Sequence, residues 1–156
     1  MDASDGARLR RLLAERRVAA LATLHRGEPA VSMVPYALPA GRTQLLIHVS
    51  ALATHTRDLH EHARVGLLVV DAEGSASPLA LARVALQAHA TPLPRAGADY
   101  ADARAHYLAR FPDAATMFEL GDFELVALEP VSARLVAGFG RAHSLVGDAL
   151  AAWLRG

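Results

Sequence analysis

The sequence predicts a mostly β fold with flanking helices, a small and largely antiparallel barrel. Three observations carry this. Short apolar runs of strand length recur along the chain. Most are separated by Gly-, Pro- or Asp-bearing turn signals at hairpin spacing. Helical signals are limited to the two ends, one stretch after the middle and a short polar segment before it.

The elements follow in order. Residues 1–17 place Leu9 and the Leu12–Leu13 pair, with Val18, at helical spacing, so they form a short amphipathic helix with solvated arginines. A membrane-surface helix is the alternative reading of that basic run. VAALATL (18–24) is a strand, HRGEP (25–29) a hairpin turn and AVSMVPYAL (30–38) a second strand. PAGR (39–42) turns the chain into TQLLIHV (43–49). A polar segment precedes RVGLLVV (64–70), then a DAEGSASP loop (71–78) and a long strand centred in LALARVALQAHATPL (79–93). Residues 98–111 and 113–120 read as helical, FELVALEPV (123–131) and SARLVAGF (132–139) as two strands, and 143–156 as a terminal helical tail. No repeat or linker divides residues 1–156, so one domain is expected.

Composition narrows the chemistry. The 156 residues contain no cysteine, which excludes disulfides, thiolate nucleophiles and Cys-based metal sites. All 16 basic residues are arginine, so lysine Schiff bases and P-loop lysines are excluded as well. They balance 16 acidic residues, and no net field draws the chain to nucleic acid or anionic lipid. The N-terminus lacks a signal-peptide pattern and no apolar run is long enough to span a bilayer. A cytoplasmic protein with no membrane or nucleic-acid partner is expected.

The polar segment, SALATHTRDLHEH, carries the clearest site signal. Ser50 follows a strand and is placed to cap a helix whose first turn would gather free N–H donors and the positive end of the macrodipole. Thr54, His55, Thr56 and Arg57 surround that start, and such a set can hold a phosphate. An ordinary capped surface helix is the competing reading. His55, His60 and His62 also raise a metal site, but on a helix the first two point about 140° apart and His62 lies about 10 Å along the axis, so no metal is expected.

The ordered set SMVPYA (32–37), SALATHTRDL (50–59), ARVGLLVV (63–70), SPLALARVAL (77–86), YLARFPDA (107–114), GDFELVALEPVSARLV (121–136) and GFGRA (138–142) resembles the pyridoxamine 5′-phosphate oxidase-like FMN-binding split barrels, and more narrowly their haem-utilisation branch. The resemblance implies a six-stranded Greek-key split barrel, homodimeric, with two ligand sites across the subunit interface. It places Ser32, Met33 and Val34 beside FMN. Ser50, Thr54, His55, Thr56 and Arg57 fall around its phosphate, with Arg83 as a further candidate and Tyr36 the nearest aromatic. It implies an oxidoreductase whose substrate stays unknown and whose catalytic residues are unassigned.

Departures from the family pattern are specific. Ser32 stands where a strand arginine is usual and His55 where a helix lysine is usual, which weakens the phosphate grip. The C-terminal substrate-binding pattern of true pyridoxamine phosphate oxidases is missing. The haem branch implies an alternative, a haem-binding or haem-degrading protein in which His143 is the iron ligand and Asp122 orients it. A non-enzymatic cofactor-binding module is the third reading. Tyr107, Phe111, Phe118 and Phe123 read as core or interface filling, and Trp153 as either a staple for the last helix or a lid.

Overall fold

A computed structural model describes residues 2–71 and 77–156 of the chain. The elements are α1 (Ala3–Glu15), β1 (Val18–His25), β2 (Glu28–Ala37), β3 (Leu45–Ser50), α2 (Thr54–Glu61), β4 (Arg64–Val70), β5 (Arg83–Leu93), α3 (Tyr100–Arg110), α4 (Ala115–Phe118), β6 (Phe123–Gly138), β7 (Arg141–Val146) and α5 (Gly147–Arg155). Short 3₁₀ turns precede β5 and α4. Residues 72–76 of the expected loop at 71–78 lie outside the described residues.

All strand pairs are antiparallel, in the order β3-β2-β1-β4-β5-β6-β7. The fourth strand returns through α2 to lie beside the first, which is a Greek key. A further pairing of β3 with β6 closes six strands into a barrel and leaves β7 as an extension beyond the closure.

That arrangement depends on β6, which is one 16-residue strand and not the two expected. Pro130 and Val131 resemble a turn in the sequence, yet the chain continues through them, with a register shift where Gln87 pairs Ser132 and Ala88 pairs Pro130. The bulge absorbs one residue and bends the strand, and Pro130 needs no donor there. The first half of β6 therefore reaches β3 while its second half reaches β7. Residues 143–146 belong to β7, and the terminal helix begins only at Gly147.

Period-2 alternation separates the faces. Inward-facing Leu21, Val34, Ile47, Leu67, Val84, Val126 and Leu135 fill the barrel, and Leu9 and Leu13 of α1 with Leu150 and Leu154 of α5 cover one side. Tyr36 is part of this core: it is 1% exposed, and its hydroxyl donates to the Leu13 carbonyl at 2.6 Å. Burial pushes its phenol pKa up, and it cannot stack on a ligand outside the barrel. Trp153 staples α5 to α1 by donating to the Gly6 carbonyl at 3.0 Å. A second core lies outside the closure, where Leu46, Leu125 and Ala127 meet Ala103 and Tyr107 of α3 and Phe118 of α4.

The β1–β2 hairpin turns through Arg26 and Gly27, with φ of 53° and 82°. Two consecutive left-handed residues match the twist of the flanking strands. The hairpin fixes the register in which Met33 faces Ala20 and Ser32 faces Leu21.

Candidate functional site

The expected phosphate cradle at the start of α2 is only partly assembled. Ser50 does not cap the helix. The cap position is Ala53, and Ser50 Oγ accepts from the Leu52 amide at 3.2 Å while its carbonyl accepts from Thr56 Oγ1 at 2.6 Å. The intervening residues turn before the helix starts, so the cap lies three positions later than the sequence suggests. Thr56 is buried and spent on that bond; Thr54 and Arg57 are exposed, and His55 is half-buried.

Charge at this end also opposes an anion. Asp58 is 2% exposed and accepts from Thr23 Oγ1 at 2.9 Å and from Nδ1 of His25 at 2.8 Å. The His25 bond, with help from Thr23, holds its carboxyl below the usual range, so the carboxylate stays ionised. Burial lowers the pKa of His55, against the opposing pull of Asp58, which favours neutral imidazole. Arg57, on the exposed face of α2, is then the one cation beside the helix start, with the Asp58 anion buried next to it in sequence. Ser32 points inward, and its hydroxyl is buried without a hydrogen-bond partner. Val34 lies in the core at 2% exposure, so of the three β2 candidates Met33 alone presents its side chain outward, at 64% exposure.

Met33 belongs to an apolar sheet face. Across six strands the register aligns Met33, Ala20, Leu68, Ala85, Arg134 and Ser144 in one row. Beside it Pro35 pairs with Val18, and Val70, Arg83, Val136 and Ala142 form a further row across β4 to β7. Val31 at 74% and Leu68 at 40% exposure lie on the same face. The centre is shallow: a side chain on Gly66 would touch the Ala22 methyl at 3.5 Å.

At the β6–β7 end this face dips into a concavity of about 370 Å³ lined by Leu79, Arg83, Arg134, Val136, Phe139 and Ala142. Arg83 Nη1 donates to the Leu81 carbonyl at 3.1 Å and Arg134 Nη1 to Ser144 Oγ at 3.0 Å, which orients both guanidiniums and leaves their other donors available. Phe139, in the β6–β7 turn, is 80% exposed. Gly140 beside it takes φ of 73°, so the tight turn thrusts the ring outward. Two cations over an apolar floor with a free aromatic suit a flat apolar ligand that carries carboxylates.

His143 pairs with Leu135 in β7 and alternates with Ala142, so Ala142 and not His143 lines the concavity. Its face is that of Arg141, which bonds Asp5 of α1 at 2.9 Å, and of Leu145, which packs on the core. Asp122 precedes β6 at its opposite end, thirteen residues before Leu135 and on the order of 40 Å of extended chain away. The two are not brought together within one chain. Arg134 and Phe139 were not singled out from the sequence; their signal is the outward register of Arg134 with Arg83's neighbour Val136, and a bare aromatic between two glycines.

A family model described as pyridoxamine 5′-phosphate oxidase matches residues 6–137. The chain belongs to the pyridoxamine 5′-phosphate oxidase family. Within that family it is 30% identical over 139 residues to the haem oxygenase HutZ of Vibrio cholerae, covering 87% of this chain and 78% of that one. It is 33% identical over 118 residues to the non-canonical chloroplastic haem oxygenase HOZ of Arabidopsis thaliana, covering 76% of this chain and 35% of that one. The solved haem-binding protein of Mycobacterium smegmatis superposes with a TM-score of 0.85 at 33% identity, covering 97% of this chain and 62% of the other. This member of the pyridoxamine 5′-phosphate oxidase family therefore spans about a third of the plant relative and less than two thirds of the mycobacterial one. Among the described residues no helix is long and apolar enough to cross a membrane.

Proposed function

We propose that the protein binds haem on the outer sheet face and is a haem-utilisation protein of the split-barrel family, acting as a homodimer. The observation that carries the reading is the concavity in which Arg83 and Arg134 flank the apolar Val136, Leu79 and Phe139. Haem is a flat apolar ring with two carboxylates on one edge, and this is the chemistry those residues complement. The names of the relatives, two haem oxygenases and a haem-binding protein, support the same ligand.

Haem, when bound, would supply a redox-active iron, and oxidative opening of its ring would need dioxygen as oxidant and an external electron donor. The chain's residues bind and orient. Arg83 and Arg134 would hold the carboxylates, Phe139 would offer an aromatic surface to the ring, and the apolar side chains of Met33 and Leu68 would keep water from one side. A second copy of the chain closes the open side, because Val18, Val31, Met33, Leu68 and Val70 are exposed apolar side chains gathered on this face.

FMN is the second reading, supported by the family to which the chain belongs; the buried Ser32 hydroxyl points into the barrel and does not favour it. The ionised Asp58 beneath α2 opposes a phosphate there. Parallel absorption titrations of the purified chain with haem and with FMN test the choice. Saturable growth of a shifted Soret band with no comparable change in the flavin spectrum is expected. Micromolar FMN binding without a saturable Soret band would reverse the assignment.

A further inference from the structure

A second cavity, of about 280 Å³, lies between α3 and the strands on the other side of the closure. It shares no residue with the concavity at Arg83 and Arg134. Its floor is Leu46, Ala103 and Ala127, all buried members of the second core, extended by Leu93. Its rim is polar: Arg42, Gln44, Thr91, Asp99, Asp102 and His106.

The rim charges are unequally satisfied. Arg42 Nη2 pairs with Asp102 Oδ2 at 3.0 Å, and His106 Nε2 lies 3.5 Å from Asp102 Oδ1, so the Arg42 guanidinium already has its counter-charge. Among the described residues none hydrogen-bonds or ion-pairs with the side chains of Asp99, Gln44 or Thr91. The unopposed charge of the rim is therefore the Asp99 carboxylate, beside two neutral groups able to accept hydrogen bonds. An anion would meet Asp99 and find the Arg42 guanidinium already paired. An ammonium group would pair with Asp99 and use the Gln44 and Thr91 oxygens for its remaining protons.

We propose that this cavity is a second small-molecule site, distinct from the haem face, that takes a primary amine bearing an apolar body. The ammonium sits at Asp99, and the hydrocarbon portion lies on Leu46, Leu93, Ala103 and Ala127. Because the floor is part of the packing that holds α3 to the barrel, occupancy stabilises the fold by mass action. The inference does not depend on haem being the ligand of the other face.

The probe is 2-phenylethylamine, with 3-phenylpropanoate as a carboxylate of matching shape, followed by calorimetric titration and thermal unfolding of the full chain. The amine is expected to bind and to raise Tm with concentration, and the carboxylate to do neither. Asp99→Asn should weaken the amine about tenfold, the loss of one charge-assisted contact. Gln44→Trp, at an exposed position, should fill the cavity and abolish binding without lowering the unliganded Tm. Absence of amine binding at millimolar concentration, equal binding of the carboxylate, or amine affinity unchanged in both variants would each overturn the proposal.

Discussion

The imidazole of His48 lies flat on the ring of Phe118, with centroids 3.7 Å apart and planes within 7° of parallel. Tyr107 and Phe123 complete the box, and His48 Nε2 is buried without a hydrogen-bond partner. Burial, reinforced by Arg95, lowers the His48 pKa to about 4, and burial pushes the Tyr107 phenol up to about 12. In the unfolded chain His48 titrates near 6.5. Between those values the unfolded state binds a proton that the folded state does not, so stability is full above pH 6.5 and falls as pH drops toward 4. The loss is on the order of 3 kcal/mol and levels off below pH 4. Chemical denaturation from pH 7 to pH 4 should show it, and His48→Phe should flatten that part of the curve. An unchanged slope in the variant would move the pH dependence to another group.

Asp58 behaves in the opposite sense. Its folded pKa is depressed by His25 and Thr23, so its contribution is present above the ordinary carboxylate value of 3.8 and is lost as pH falls through the folded pKa. Asp58→Ala should lower Tm more than Thr23→Val, since it leaves two donors without their acceptor. Asp58→Asn tests the electrostatic argument against phosphate at α2. Removing the buried anion should improve any residual FMN binding, and a variant that binds FMN more weakly would contradict it.

The apolar face makes a prediction about assembly. Leu68 stands between Ala20 and Ala85 at the middle of the sheet and is 40% exposed. Leu68→Arg introduces two like charges across a two-fold contact and should convert a dimer to monomers with little loss of subunit stability, because the side chain lies outside the core. Sedimentation velocity reads the change directly. A wild-type chain that sediments as a monomer at tens of micromolar would remove the homodimer from the account.

Much of the barrel was legible because its signals are local. The short apolar run RVGLLVV and the Arg26–Gly27 turn define strands and hairpin within a few residues, and β4 falls on residues 64–70 as expected. The unity of β6 was not legible, since Pro130 normally ends a strand and only pairing with a bulged partner permits it to continue. Ser50 misled because its hydroxyl and the helix are separated by a turn that nothing in SALAT announces. At the candidate site Arg83 was visible through the family resemblance, whereas Arg134 and Phe139 join it only through the β5–β6–β7 register. Asp58 and His25, 33 positions apart, meet only because α2 packs against β1. That long-range contact is what turns an apparent phosphate cradle into an unfavourable one.

The most direct test of a haem site on the shared apolar face is sedimentation of the haem-titrated chain, with protein and Soret absorbance followed together, for the wild type, Arg83→Ala/Arg134→Ala and Leu68→Arg. The wild type should carry saturable Soret absorbance at the dimer mass. The double arginine variant should stay dimeric but bind haem about a hundredfold more weakly, roughly tenfold for each charge-assisted contact. Leu68→Arg should lose the dimer and the Soret signal together. A monomer that retains full haem occupancy, or a double variant that binds haem as the wild type does, would contradict the account.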